Sequence, residues 1–420
     1  MMNNKYIAVT IQNYVQFYSI KNVLDEMIKN GLNIDLYVPI AKDDWGLTEM
    51  FNDIYNHLKK EGYVVRRKPI KRKYKILLEP YPMEYYFSFD YEYRLKYKYS
   101  AISAKPFPTY RECDNFCYDA ILCYSTYEAD VLSVYSKTYL VGKPLYSEFK
   151  KDKIDRKKKI LLYLPTYGDL NSIFDISSEI SELRKKYYII TKAHHGTNYF
   201  NYENNKMEIL KNMFDEFYDS TVSLETLLKR ADIVLSDNSG SIFEALYTYT
   251  PVAIFSKNLE KCSLDDFKSY QYNLVKKDIL PYTDDIKKIP IILEKALSSE
   301  YIKKQRELSN KIFPFKGKKG LETFKIIINN YLNDNIDVDN FKLHRIFLKN
   351  YTELNNSLLE SKNTILEYEE KYKELENSYG KLKKENYNLN YKLSDYEKGK
   401  LYKLSTKMYS IMAKVRRNKK

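Results

Sequence analysis

Apolar and polar positions along the 420-residue chain change period several times, and each change marks an element. Lys5–Thr10 is a short β-branched run, Val15–Lys29 repeats its apolar residues at helical spacing, and Gly31 stops that helix before a second strand-like run, Ile34–Ile40. This is the pattern of a βαβ unit. A longer amphipathic stretch over Leu47–Lys60, strand-like runs near Tyr63–Val65 and Tyr74–Leu78, and a tyrosine-rich polar stretch to about Tyr110 continue it less distinctly. YDAILCYS, Tyr118–Ser125, reads as a buried strand followed by a helix, and TYLVGKP, Thr138–Pro144, closes the half.

Between Ser147 and Lys159 the pattern gives way to SEFKKDKIDRKKK, a charge run with no apolar periodicity, which marks a domain boundary. Beyond it, the short apolar runs Ile160–Leu164, Tyr187–Thr191, Ile233–Leu235 and Val252–Phe255 alternate with helical segments. That spacing predicts a parallel sheet covered by helices on both faces. The expected fold class is α/β, with Rossmann-like domains over residues 1–146 and 158–335. Ligands of such sheets bind beyond the carboxyl ends of the strands, so the residues following each strand carry the functional question.

From about Asn340 a heptad repeat replaces this alternation. The a positions read Tyr351, Leu358, Ile365, Tyr372, Tyr379, Asn386 and Leu393; the d positions read Leu354, Ser361, Tyr368, Leu375, Leu382, Leu389 and Tyr396. A proline-free repeat filled with Glu and Lys predicts a coiled coil over 341–420, and Asn386 at an a position points to a defined homo-oligomer. After Glu397 no acidic residue occurs, while Leu401, Leu404, Met408, Ile411, Met412 and Val415 recur at helical spacing among Lys and Arg. This basic amphipathic tail suits an anionic membrane surface, or a continuation of the coiled coil.

The formal charge of +14 adds little. No aromatic-basic module accompanies it, so nucleic acid is not an expected partner. Cys113, Cys117, Cys123 and Cys262 lack the paired spacing of a zinc site or a disulfide framework. The start, MMNNKYIAVTIQNYV, has neither the basic n-region nor the apolar h-region of a signal peptide, and no stretch reaches the ~18 apolar residues of a membrane span. The expected location is therefore cytoplasmic, with any membrane contact peripheral.

Neither a GxGxxG fingerprint nor a P-loop occurs, so phosphate binding would fall to helix N-termini and hydroxyls. ADIVLSDNSGSIFEAL, Ala231–Leu246, has that form: a strand ends at Ser236 and Asp237, Ser239 and Gly240 make a turn, and a helix begins near Ser241. The same residues are also ordinary helix caps. LLYLPTYGD places Pro165, Thr166 and Tyr167 after one strand, and YYIITKAHHGTNY places Lys192, His194, His195, Gly196 and Thr197 after the next. Histidine there can act as acid or base near neutral pH or, when protonated, neutralise phosphate; Lys192 brings a charge of its own.

The succession GKP (Gly142–Pro144), LPTYGD, TKAHHGT and LLKRADIVLSDNSGSIFEALYTYTPVAIF resembles the C-terminal domain of the CDP-glycerol glycerophosphotransferase family, which makes teichoic-acid-like and capsular polyol phosphates; the similarity spans about Ala120–Phe255. The resemblance implies a glycosyltransferase-B-type pair of domains, with the acceptor held by the first and a nucleotide-activated donor, CDP-glycerol or a nucleotide sugar, by the second. It implies that His194 contacts donor phosphate, that Ser236, Asp237, Ser239 and Gly240 line its phosphate and ribose side, and that Pro165 and Thr166 border the nucleotide; Ser241 and Glu244 of the helix that follows complete the candidate donor-binding set.

Two departures stand out. The family's second Ser of the Ser-Asp-x-Ser-Ser motif is Gly240, with Ser241 one place later, and the His-Gly-Thr-Pro motif of its first domain has no counterpart: SAISAKPFPTYRECDNF holds no histidine, and His57 falls too early. Asp114 or Glu112 is the candidate replacement base. Asp337–Asp339 lies in a linker rather than at a strand end, so no metal and no cofactor is expected. The expected activity is transfer of glycerol-phosphate, or a related polyol-phosphate or sugar unit, to a cell-surface glycan or lipid-linked acceptor. A UDP- or CMP-sugar glycosyltransferase of the same fold, or a coiled-coil scaffold with a non-catalytic body, are the alternatives.

Overall fold

A computed structural model of the chain describes residues 5–41, 47–83, 86–100, 102, 112–153, 156–200, 203–257, 259–261, 263–264, 267–336 and 342–417. Residues Met1–Leu348 form one compact unit and Lys349–Lys420 another. Asp337–Asp339, the Glu112 side chain, Cys262 and the charged side chains beyond Ala413 lie outside what is described.

The first unit contains two parallel sheets. Strands β1 (Tyr6–Thr10), β2 (Asn33–Tyr37), β3 (Val65–Arg66), β4 (Lys73–Glu79), β5 (Asp90–Tyr97), β6 (Ala120–Cys123) and β7 (Lys137–Leu140) assemble in the order β3-β2-β1-β4-β5-β6-β7. Strands β8 (Lys159–Leu164), β9 (Tyr187–Lys192), β10 (Glu216–Tyr218), β11 (Ile233–Ser236) and β12 (Val252–Phe255) form the second with a later strand. A small antiparallel hairpin, β13 (Ser263–Leu264) and β14 (Phe267–Lys268), precedes that strand, β15 (Tyr282–Thr283), and the sheet order is β10-β9-β8-β11-β12-β15. The strand-forming runs are β-branched and apolar because both faces are covered, leaving β8, β11 and β12 buried almost throughout. Each sheet reverses its winding once, between β1 and β4 in the first and between β8 and β11 in the second. At such a switch point the flanking loops diverge to opposite faces and leave a crevice beyond the carboxyl ends.

Most expected elements fall where the periodicity put them. The first helix, Tyr14–Lys29, is capped by the Asn13 side chain accepting from the Gln16 N–H, and the second covers Leu47–Lys60. Strand β5 is the exception, since it occupies the tyrosine-rich stretch that showed no clear period. Its buried face contains Arg94, only 3 % exposed, whose guanidinium meets Glu79 of β4 at 2.6 Å. A strand that buries a paired charge among tyrosines loses the apolar alternation by which strands are read.

The helix Gly317–Leu332 returns to the first sheet, where Leu321, Phe324, Ile328, Tyr331 and Leu332 join its core. Segment 158–335 thus sends its last helix to the first domain. The crossing is made by two glycines in contact: a Cβ on Gly142 would lie 2.3 Å from the Gly320 Cα. Gly-x-Pro and Gly-Lys-Lys-Gly are two halves of one backbone crossing.

The described residues of the second unit, to Arg417, are helical and belong to a 76-residue helix that begins at Lys342. No helix among the described residues is long and apolar enough to cross a membrane.

Candidate functional site

Three consecutive strands, β9, β8 and β11, deliver the sequence-predicted groups to one edge. Their registers align Thr191 with Tyr163 and Leu164 with Ser236, so the loops starting at Lys192, Pro165 and Asp237 leave the sheet side by side. Two strand spacings separate the outer pair, about 10 Å, a span suited to a diphosphate and its nucleoside.

Within that edge, some residues build the frame and others face outward from it. Asp237 belongs to the frame. Its carboxylate, fully buried, accepts from the Thr166 N–H at 2.8 Å and from the N–H and Oγ of Ser172 at 2.9 and 3.0 Å, tying the β8 loop to the end of β11. Burial pushes its pKa up to about 7 against those three donors. Ser236 donates to the Leu164 carbonyl at 2.6 Å in the same role. Thr197 donates to Glu203 at 3.2 Å, and Glu203 also accepts from Gly168 N–H and Lys206.

Gly196 is needed for packing: a Cβ there would meet the Tyr167 ring at 2.9 Å. That ring stacks on His194, with centroids 4.6 Å apart and planes 18° from parallel. Tyr167 was noted in the sequence only for its position after a strand, and the structure gives it the task of orienting the histidine.

His194 caps the short helix His195–Tyr199, its Nδ1 accepting from the Gly196 N–H at 3.0 Å. The proton of the neutral ring therefore sits on Nε2. Burial, then the neighbouring His195 and Lys192, hold its pKa well below 6.5. Of the two roles open to it, the lowered pKa favours the neutral ring, which offers an N–H donor at Nε2. His195, 4.1 Å away ring to ring, is lowered to about 4 by burial and by Lys192. Lys192 is lowered to about 8 by burial and donates to the Asp219 carbonyl at 2.9 Å, so it remains mostly charged at neutral pH but is turned toward the end of β10.

Across the switch point, Ser236, Ser239 and Ser241 form a hydroxyl cluster, with Ser241 Oγ 2.9 Å from Ser239 Oγ and 3.3 Å from Ser236 Oγ. Gly240 beside them faces the first domain, where a Cβ would meet the Ile102 carbonyl and Ser100 Oγ, both at 2.9 Å. Its lack of a side chain thus serves the approach of the two domains. Glu244 is occupied too, paired with Lys143 of the Gly-Lys-Pro loop, both buried, while the Lys143 N–H donates to Tyr247 Oη at 3.0 Å.

Asp114 occupies the turn Glu112–Cys117 that leads into β6, before the strand and not after it. A different acid of the first domain approaches the histidine loop: Asp53, whose carboxylate accepts from Tyr199 Oη at 3.2 Å. Asp53 lies one helical turn before His57, which is half-buried near Tyr14 and Phe17 with ring separations of 5.0 and 5.6 Å and has its pKa lowered chiefly by burial. Their spacing of four residues puts both on one helix face. That signal was present in the sequence, but the helix gave no hint that it meets the second domain.

Two parallel α/β sheets, each reversing its winding once and the second gathering three adjacent loops at its switch-point edge, define a glycosyltransferase-B fold. The structure is similar to that of the wall teichoic acid polymerase TagF, with a TM-score of 0.52 and 13 % identity over 80 % of this chain and 91 % of that one. It is also similar to a putative UDP-N-acetylglucosamine 2-epimerase from Listeria monocytogenes, with a TM-score of 0.50 and 11 % identity over 80 % of this chain and 98 % of that one. No family model and no curated protein sequence matches the chain.

Proposed function

We propose that the protein transfers a glycerol-phosphate unit, or a related polyol-phosphate or sugar unit, from a nucleotide-activated donor to a cell-surface glycan or lipid-linked acceptor. The supporting observation is the meeting, at the second switch point, of the histidine loop, the Pro165–Tyr167 loop and the serine cluster on adjacent strands. Similarity of fold to a wall teichoic acid polymerase agrees with that reading.

In this proposal the donor diphosphate lies along the edge between His194 and Ser239. His194 Nε2–H and the serine hydroxyls donate to its oxygens, and Lys192 adds positive potential from one side. Fixed donors aimed at a departing nucleotide stabilise developing charge without reorganising, which is the main source of rate in phosphoryl transfer. His194 thus stays neutral and acts by hydrogen-bond donation from Nε2–H to the phosphate oxygen on which charge develops, while the acceptor hydroxyl gives its proton to a base on the first domain. On the acceptor side, Asp53 and His57 are better placed than Asp114 to take the hydroxyl proton, because their helix reaches the histidine loop.

The test is nucleotide-dependent stabilisation followed by product release. CDP-glycerol should raise the melting temperature and yield CMP on addition of a polyol-phosphate acceptor. Stabilisation by UDP-sugars alone would move the assignment to a sugar transferase, and no response to any nucleotide would leave the body as a scaffold.

A further inference from the structure

The helix Lys342–Arg417 presents an apolar seam that its own unit does not cover. Every apolar a and d side chain from Leu354 to Tyr396 is more than half exposed, from 52 % at Leu358 to 69 % at Leu354. These 43 positions extend about 65 Å at the α-helical rise of ~1.5 Å per residue. A seam of that length in water requires a partner with the same period.

We propose that the partner is a second copy of this chain, aligned parallel and in register as a two-stranded coiled coil. Three features of the seam select that occupant. First, its polar interruptions exclude a shifted parallel register, and its charges exclude a reversed one. Asn386 at a and Ser361 at d each meet their own copy at the same height in a parallel, in-register pair, whereas a shift by one heptad sets the Asn386 amide against Tyr379 or Leu393; a reversed pair that matches Asn386 with Ser361 sets Lys362 against Lys383 and Glu369 against Glu376 along the e edges. The Asn386 Oδ1 accepts from Asn390 at 2.8 Å, and its Nδ2–H groups are donors for the facing Asn386 of the copy.

Second, the flanking charges are complementary to themselves in that arrangement. Parallel pairing brings each g position against the e position five residues later on the other helix. The charged pairs so formed are Lys371 with Glu376 and Lys392 with Glu397, both attractive, and the remaining g–e pairs from Ser357 to Glu397 contain an uncharged residue. No like-charge pair arises. Third, a single Asn at an a position, with Leu at four of the seven d positions, is the kind of polar interruption that fixes register and oligomer state.

A shift of phase follows Tyr396. The next apolar positions, Leu401, Leu404, Met408 and Ile411, resume the three-four spacing one residue late, so the seam rotates around the helix beyond Gly399. Pairing in the proposed register is accordingly assigned to Leu354–Tyr396, and both basic tails leave the paired region at the same end.

The full chain should sediment as a dimer at micromolar concentration. Variants Leu354→Cys and Leu389→Cys, made singly, should each form an interchain disulfide under mild oxidation, because in-register parallel helices bring both heights to their own copies; an antiparallel pair can do so at only one height. K371E/K392E places like charges on both edges and should lower dimer affinity at least tenfold at low salt, as should E376K/E397K. An equimolar mixture of the two should recover the wild-type affinity, which a mere folding defect would not. A monomer at tens of micromolar, a trimeric or tetrameric mass, cross-linking at only one of the two heights, or failure of the mixture to recover would each overturn the proposal.

Discussion

The two sheets reverse their winding at equivalent places, yet their crevices carry different chemistry. At the first, between β1 and β4, neutral groups close on one another: the Gln12 N–H donates to Gln16 Oε1 at 2.7 Å, and Gln16 Nε2 reaches Tyr81 Oη at 3.2 Å. At the second, between β8 and β11, two histidines, three serines and a buried carboxylate gather. Equivalent topology therefore tells where a ligand can sit on each half, and the side chains tell which half suits an anionic one.

That contrast can be broken by substitution, and the largest effect is expected where the halves meet. Lys143→Ala removes the buried cation that pairs with the buried Glu244, a loss of about 3–5 kcal/mol in urea unfolding. A change below about 1 kcal/mol would mean that the pair is solvated, as surface pairs are.

Next comes the donor side. His194→Ala should reduce transfer by about 100-fold or more while the folded state persists by circular dichroism, in the range of lost acid–base or oxyanion contacts. Its counterpart Gln12→Ala should change donor affinity less than about tenfold, or 1.4 kcal/mol. Equal effects of the two would erase the division between the edges. Gly240→Ala puts a Cβ 2.9 Å from the Ile102 carbonyl and should cost about 1–3 kcal/mol of overpacking, read as a lower melting temperature.

The smallest effect is expected from pH. His195 has a folded pKa of about 4, below its ordinary 6.5, so the unfolded chain binds a proton that the folded chain refuses. Its contribution to stability is therefore fully present above pH 6.5 and is lost as pH falls from there toward 4, by less than about 1 kcal/mol between pH 7 and pH 6. His195→Gln should flatten the melting temperature over that interval, and an unchanged slope would assign it to other groups.

Much of the second sheet was legible because its strands are buried on both faces and read as uninterrupted apolar runs. Ile160–Leu164 and Val252–Phe255 are cases in point. The first sheet was harder wherever a buried charge was satisfied from afar, as with Arg94 and Glu79, since a sequence window contains one partner and not the other. The loops of the candidate site could be located as strand exits. Their division of labour could not, because Asp237, Gly196 and Gly240 look the same in sequence whether they hold a ligand, a loop or a neighbouring domain. In the structure Asp237 holds backbone N–H groups, Gly196 admits the Tyr167 ring, and Gly240 admits the Ile102 carbonyl.

What the sequence determined by itself is what repeats locally: the alternation of strands and helices, the heptads, and the order of the loops that follow the strands. These depend on residues a few positions apart, where side-chain period and backbone geometry are coupled directly. Tertiary structure alone decided the meeting of Gly142 with Gly320, the return of the helix Gly317–Leu332 to the first core, and the approach of Asp53 to Tyr199 across the domains. Such contacts join segments more than a hundred positions apart, and no local period carries information about which distant surface will fill the space beside a glycine or face a carboxylate.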